Sequence, residues 1–402
     1  MLYSWVFCYW MVLLGLLADA SRESFIKNTL GPLRSYPEPV IQVHQVPASC
    51  ELQQIQLVAR HGKKFPTVGW YSKFRELESH LQKHNEVLKR TNPYLAQWKV
   101  PLNDEMIGQS TKSGLEEMRK MAVRMKGRHP DFFSTLTPED IIVRSSNMSR
   151  TIESAAALIG GLYGDASTFL IEVLVKMLTQ SCQRYCDVHN GMTHDSSSHS
   201  RVLQVSAAER IDLDLRNSGK QEHIQYILTQ LPTLEVAVFD MFDGVCTLFN
   251  KDEFLVREVL KDLSVYYDYG YGFDINVDRM CSLVTDLLET AIGGKNYTVL
   301  LRFTHTAAMA ALAAALGFFA DPPPALSHVH HPSSRAWRSS FIGPYGANLQ
   351  IETYQCHGQN KVSPYVRMLW NERTRFHKMK IPYCNDSKHT LCPLDKVLAA
   401  YV

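Results

Sequence analysis

Three short apolar runs, each breaking into a polar loop, constrain this chain more than any other feature. Gln53–Ala59 runs into Arg60-His61-Gly62-Lys63-Lys64-Phe65-Pro66-Thr67. Ile141–Val143 runs into Arg144-Ser145-Ser146-Asn147-Met148-Ser149-Arg150, and Tyr297–Phe303 into Thr304-His305. Apolar runs of this length read as buried strands, and a helical pattern follows each of them further on. Strands alternating with helices build a parallel sheet with helices packed on it. The helices expected are Ser113–Arg124, Thr151–Leu162 and roughly Thr306–Leu316. Ser113 and Glu116 form a capping-box pattern for the first, and Leu115, Met118, Met121, Ala122 and Met125 make a stripe read as core. Thr304 or Thr306 is expected to cap the third, and Asp321-Pro322-Pro323-Pro324 to stop it. Asn348–Gln355 alternates like a final strand.

The fold expected is therefore α/β, a mostly parallel central sheet flanked by helices, with an inserted, mainly helical cap subdomain. Residues 50–159 and 290–402 form the expected core. Residues 160–289 form the expected cap, because helical patterns there are broken by the Ser/His-rich Thr193–Arg201 and the aromatic Tyr266–Phe273. The Pro-rich stretch 21–49 reads as an irregular arm.

The first 20 residues read as a secretory signal peptide. Val6–Leu17 is nearly all apolar, too short to span a bilayer comfortably, and Ala18-Asp19-Ala20 follows as a cleavage pattern. No other stretch is apolar enough to cross a membrane, so no stable span is expected after cleavage. Of nine cysteines, Cys8 lies in the signal. Eight remain, Cys50, Cys182, Cys186, Cys246, Cys281, Cys356, Cys384 and Cys392, an even number that suits an oxidising compartment. The close pairs Cys182/Cys186 and Cys384/Cys392 invite local bridges, and the others stay open. Asn147, Asn296 and Asn385 head N-x-S/T sequons. The expected location is the secretory pathway, in the endoplasmic reticulum lumen or outside the cell.

The chain carries 42 basic and 40 acidic side chains, a net charge of +2, so strong anion binding must come from a local cluster and nucleic acid is not an expected partner. In open α/β sheets the ligand sits beyond the carboxyl ends of the strands. Those ends offer Arg60, His61, Arg150 and His305. Two guanidinium groups grip phosphate oxygens in a fork geometry, a neutral imidazole can attack phosphorus, and placed positive charge stabilises the transfer. Such a site needs no metal or other cofactor. His328-Val329-His330-His331, His189, His194 and His199 lie in polar stretches read as solvated loop rather than as ligands.

In this order the residues resemble the histidine acid phosphatase family, the branch with a phosphohistidine intermediate. Its R-H-G-x-R-x-P signature stands here as Arg60-His61-Gly62-Lys63-Lys64-Phe65-Pro66. Ser145–Ala157, Tyr269-Gly270-Tyr271-Gly272 and Gly343–Leu349 before Cys356 extend the likeness from about residue 50 to the C-terminus. The resemblance implies that His61 is the nucleophile, that Arg60 and Arg150 bind the transferring phosphoryl group, and that His305 donates to the same oxygens. It places Lys64 at the second arginine of the signature, where charge is kept and the fork is lost. It implies the pairs Cys50–Cys356, Cys246–Cys281 and Cys384–Cys392 beside a local Cys182–Cys186. The substrate implied is a phosphorylated small molecule, an inositol polyphosphate for a phytase-like member. One departure stands out. The acid that protonates the leaving alcohol in the family falls at Thr306 or Ala307, and no carboxylate occurs from there until Asp321. Two readings result: a secretory-pathway phosphomonoesterase slowed by the lost acid, or a pseudophosphatase that holds phosphorylated ligands.

Overall fold

Strand β1 (Cys50–Arg60) is buried along its last seven residues, as a strand covered on both faces must be. The structure, a computed structural model, describes residues 21–37, 46–167, 169–174, 219–293, 298–321, 335–358, 361–374 and 390–401. The further strands are β2 (Ile141–Ser146), β3 (Ile171–Leu174), β4 (Val299–Thr304), β5 (Asn348–His357), β6 (Val362–Trp370) and β7 (Cys392–Pro393). Among the described residues they form one seven-stranded sheet in the order β3-β2-β4-β1-β5-β6-β7. The four strands β3, β2, β4 and β1 run parallel, and β5 to β7 continue antiparallel. Asn348–Gln355 is thus not the final strand, because β6 and β7 pair beyond it.

The longer helices are α1 (Val68–Lys83), α2 (Lys112–Arg128), α3 (Ser149–Tyr163), α4 (Gly219–Leu228), α5 (Leu231–Phe239), α6 (Lys251–Tyr269), α7 (Cys281–Ala291) and α8 (Thr306–Ala315). Alternation along β1 sends Ile55, Leu57 and Ala59 to one face, where Met118, Met121, Ala122 and Met125 of α2 meet Leu158 and Leu162 of α3. Val58 faces the other way, into a core made by the alanine-rich α8 and Val284 and Leu287 of α7. Small side chains let α8 lie close to the sheet.

A separate hydrophobic cluster lies off the sheet. It joins Ile26 and Leu30, Phe74, Leu77 and Leu81 of α1, and Ile224, Leu228, Leu231, Leu234 and Phe254. The stretch 21–49 is therefore not all irregular arm: residues 21–28 are helical, and two of the side chains after residue 25 enter this lobe. The boundary expected at residue 160 falls inside α3, and β3 joins the sheet within the segment read as a helical insertion.

Local signals also shift. Thr111, not Ser113, caps α2, accepting a hydrogen bond from the Gly114 amide at 2.9 Å. Neither Thr304 nor Thr306 caps α8: the cap residue is His305, with no side-chain cap bond. That helix ends at Ala315, and Gly317 at φ 71° turns the chain before the prolines are reached.

Cys50 and Cys356 are directly paired across β1 and β5 and form a disulfide. Cys246 and Cys281 do not pair. Cys246 is buried in the off-sheet lobe, while Cys281 is exposed at the start of α7, whose apolar side joins the sheet core. Cys392 is disulfide-bonded, with its partner outside the described residues. Cys182, Cys186, Cys384, Asn296, Asn385, the signal segment and the two histidine-rich stretches also lie outside them, whereas Asn147 is exposed in the β2–α3 loop. No helix among the described residues is long and apolar enough to cross a membrane.

Glycine is required where the loop after β1 lies on the first turn of α2. A Cβ at Gly114 would stand 2.2 Å from the Lys63 carbonyl oxygen, and one at Gly62 would stand 2.4 Å from the Gly114 oxygen. Gly127 of the same helix has open space around it. Gly114→Ala should cost about 1–3 kcal/mol by overpacking, while Gly127→Ala should gain about 0.5–1 kcal/mol from the helix backbone. Denaturant unfolding of the two variants checks both signs.

Candidate active site

Strand register brings the three loops to one level. Arg60 pairs with Thr304 across β1 and β4, and Ser145 with Phe303 across β2 and β4. The main chain of His61 is then held on two sides. Its N–H donates to the Thr304 carbonyl at 3.1 Å, and its own carbonyl accepts from the Gly346 amide at 3.0 Å. Gly346 sits at φ 69°, where glycine is favoured. The Gly62 amide donates to Ser154 Oγ at 3.0 Å, and that hydroxyl donates to the Arg150 carbonyl at 2.6 Å. The first turn of α3, which carries Arg150, is tied to the histidine loop in this way.

The His61 ring is oriented by its own neighbour. Nδ1 lies 2.8 Å from the Gly62 carbonyl oxygen. A carbonyl only accepts, so Nδ1 carries the proton and Nε2 keeps its lone pair. Burial first, then the nearby Arg60, hold the imidazole pKa well below its ordinary value, with Arg150 and His305 acting the same way. The ring lies 5.5 Å from that of His305 and 5.9 Å from that of Tyr345, centroid to centroid.

Four cationic or potentially cationic groups surround it. The Arg60 guanidinium stands 4.3 Å over the Tyr345 ring, and its Nη1 donates to the Pro32 and Gly343 carbonyls, the latter at 2.7 Å. Arg150 Nη2 approaches His305 Nδ1 at 3.5 Å. Guanidinium only donates, so Nδ1 accepts, and the Nε2–H of His305 points to Ser146 Oγ at 3.0 Å. The Nε atoms of Arg60 and Arg150 are buried without a partner. Burial, followed by repulsion from Arg150 and Arg60, lowers Lys64 to about 8; burial with Arg150, Arg60 and Lys64 lowers His305 to about 4. Burial also brings Arg60 down to about 10 and lowers Arg150. No carboxylate counts among the groups that shift these four. A buried positive cluster with no carboxylate to balance it among the described residues is a strong attractor for an oligoanion, and the N-terminus of α8 lies just beyond His305.

The structure thus brings Arg60, His61, Lys64, Arg150 and His305 together. Lys63 turns elsewhere: it is buried and pairs with Asp240 at 3.6 Å, just after α5. Sequence reasoning gave no role to Tyr345 or Ser146, although both stand in stretches whose likeness was noted. It also passed over Glu117, a residue of α2 whose buried Oε2 has no partner and whose pKa burial raises to about 7. No group of His, Cys, Asp and Glu among the described residues is arranged to hold a metal.

Residues 51–371 match the family model of the histidine phosphatase superfamily, branch 2. The chain belongs to this family. It is a hydrolase of the histidine acid phosphatase kind. It is 26% identical over 385 residues to multiple inositol polyphosphate phosphatase 1 of Homo sapiens, covering 85% of this chain and 78% of that protein. It is 22% identical over 377 residues to phytase A of Penicillium oxalicum, covering 82% and 79%. In fold it is similar to the D. castellii phytase, with TM-score 0.75, 20% identity, and 94% and 84% of the chains covered. The Bifidobacterium longum multiple inositol polyphosphate phosphatase in complex with inositol hexasulfate superposes with TM-score 0.69 and 15% identity over 93% and 97% of the chains.

The lowered Lys64 pKa has a definite sign. The lysine is charged below about 8 and loses its charge above it. In this phosphatase, kcat/KM should therefore fall as pH rises through about 8, and in Lys64→Arg that basic limb should move up by more than a unit. A pH–rate profile of the two proteins on one phosphomonoester checks this.

Proposed function

We propose that the protein hydrolyses phosphomonoesters, inositol polyphosphates among them, through a phosphohistidine formed at His61 Nε2. The observation that carries this reading is the neutral imidazole, its Nδ1 tied to Gly62, among buried cations that have no carboxylate among the described residues to balance them. Arg60 and Arg150 would hold two phosphoryl oxygens, with Lys64 and the His305 ring beside them. Nε2 attacks phosphorus as the ester P–O bond breaks and the electron pair leaves on the alcohol oxygen. Water then attacks the phosphohistidine, the N–P bond breaks, and orthophosphate leaves with His61 restored. No metal takes part in these steps.

The substrate class is supported by the relatives, several of which are named multiple inositol polyphosphate phosphatase or phytase. A secretory location is supported by the leader-like N-terminus, the Cys50–Cys356 bond and the bonded Cys392. Thr306 and Ala307 open α8 where the family carries its acid, and this favours slow turnover on alcohols that leave as alkoxides. The same observation favours the second reading, a pseudophosphatase that binds phosphorylated ligands without turning them over.

Phosphate release from inositol hexakisphosphate separates the two. Hydrolysis is expected for the native protein and none for His61→Ala, and Arg150→Ala should lose roughly 10²–10³ in kcat/KM. Equal release by native protein and His61→Ala would sink the enzymatic reading. Binding by both without release, weakening with salt, would establish the binder. If a general acid is what the α8 start lacks, Ala307→Glu should raise kcat on glycerol 2-phosphate by roughly 10²–10⁴ and on phenyl phosphate much less.

A further inference from the structure

An alcohol that leaves phosphorus has to take up a proton unless it departs as a stable anion, so transfer to His61 calls for a donor beside the leaving oxygen. Next to the cationic cluster lies a half-open cavity of about 240 Å³. Lys64 and Tyr345 belong to its wall as well as to the cluster, so the two are contiguous. An ester whose phosphoryl group is held at Arg60 and Arg150 would extend its alcohol past Lys64 into this space. The rest of the wall is largely apolar, with Trp70 of α1 facing Leu234 and Val238 of α5. Among the described residues that line it, none is a carboxylate and Lys64 alone is charged.

The other groups of the cluster are poor donors. The Nδ1–H of His61 is held by the Gly62 carbonyl, and its Nε2 is the attacking atom. Guanidinium groups keep their protons, so Arg60 and Arg150 bind without giving one up. His305, lowered to about 4, is neutral, and the proton it keeps points to Ser146 Oγ at 3.0 Å. Burial raises the Tyr345 phenol above its ordinary range and makes it a weaker acid still. Glu117 holds a proton up to about 7, but it is not among the residues of the wall. Lys64 is left. Its Nζ spends one N–H on the Phe65 carbonyl at 3.1 Å, and the rest have no partner among the described residues. Burial, then Arg150 and Arg60, bring it down to about 8, so it is charged at neutral pH yet gives up its proton more readily than an exposed lysine.

We propose that Lys64 is the general acid of this site, the residue that passes a proton from Nζ to the departing alcohol. The proposal rests on the phosphohistidine reading of His61. As the Nε2–P bond forms and the ester P–O bond breaks, the leaving oxygen keeps the electron pair and takes a proton from the ammonium, which becomes a neutral amine. Water then attacks the phosphohistidine, its proton returns to Nζ, the N–P bond breaks, and orthophosphate leaves with Lys64 and His61 both restored. An ammonium is a weaker acid than a carboxyl, so turnover of alkyl esters stays slow where Lys64 alone supplies the proton.

The test is the ratio of kcat/KM for 4-nitrophenyl phosphate to that for glycerol 2-phosphate on the full chain. A nitrophenolate departs without a proton and an alkoxide does not, whereas a loss of phosphate grip weakens both esters alike. The ratio therefore reads proton delivery. In the native protein it should climb by roughly 10² or more as pH rises past about 8, where Lys64 loses its proton. Lys64→Arg keeps the charge but holds its proton, so its ratio should be roughly 10² or more above native at neutral pH and level as pH rises. A native ratio that stays level through the basic limb overturns the proposal even where the variant fails to fold, and leaves the phosphatase intact. A folded Lys64→Arg with the native ratio overturns it as well. Equal release from 4-nitrophenyl phosphate by native protein and His61→Ala overturns both readings.

Discussion

Main-chain hydrogen bonding at His61 is the constraint on which the rest of the site depends. Its amide is committed to β4 and its carbonyl to the loop before β5, so two neighbouring strands decide where the ring begins. The side chain is then fixed by the shortest available route, Nδ1 to the next residue's carbonyl. Nothing in this arrangement relies on a long, flexible side chain. A side chain held in this way has lost most of its rotational freedom before any ligand arrives, which is where much of the advantage of a preorganised site lies.

Several buried cations elsewhere among the described residues meet a carboxylate. Arg367 meets Glu352 at 2.5 Å, Arg124 and Arg128 share Glu372 at 2.6 and 3.1 Å, and Arg335 meets Asp262 at 2.6 Å. These pairs show how the fold ordinarily handles buried charge. Arg60 and Arg150 depart from that pattern. Carbonyl oxygens and the face of Tyr345 partly offset the burial of Arg60, and no carboxylate does so for either. Arg257 and Lys261 of α6 are also buried with no carboxylate among the groups that shift them, so what marks a candidate binding site is the crowding of Arg60, Arg150 and Lys64 around the two imidazoles. A bound anion would offset the cost of keeping these groups charged and close.

The cationic cluster stands at the ends of the sheet strands, and the off-sheet lobe packs beside it. The lobe core ties α1, which follows the histidine loop directly, to α4, α5 and the start of α6. Helix α5 faces the cavity beside Lys64, and the residue just after its end pairs with Lys63. Adjacent lysines of one loop therefore serve different ends: Lys63 joins core to lobe, and Lys64 stays with the cationic cluster.

The sequence alone determined the three strands, their order and the residues at their ends; the helix α1 that follows the first of them was not legible in it. Buried strands must be apolar over a short run, and the polar residues that break each run mark where the chain leaves the sheet. The family likeness rested on the same residues. Tertiary structure decided what periodicity cannot carry. Gly114 and Gly62 matter because two backbones touch, which neither stretch announces by itself. Cys246 and Cys281 stay apart because their segments join different cores. Thr111 caps α2 because its hydroxyl, not that of Ser113, reaches the Gly114 amide. The apolar wall of the cavity beside Lys64 arises from α1 and α5, more than 150 residues apart at Trp70 and Leu234, and only packing in three dimensions brings such distant side chains to one cavity.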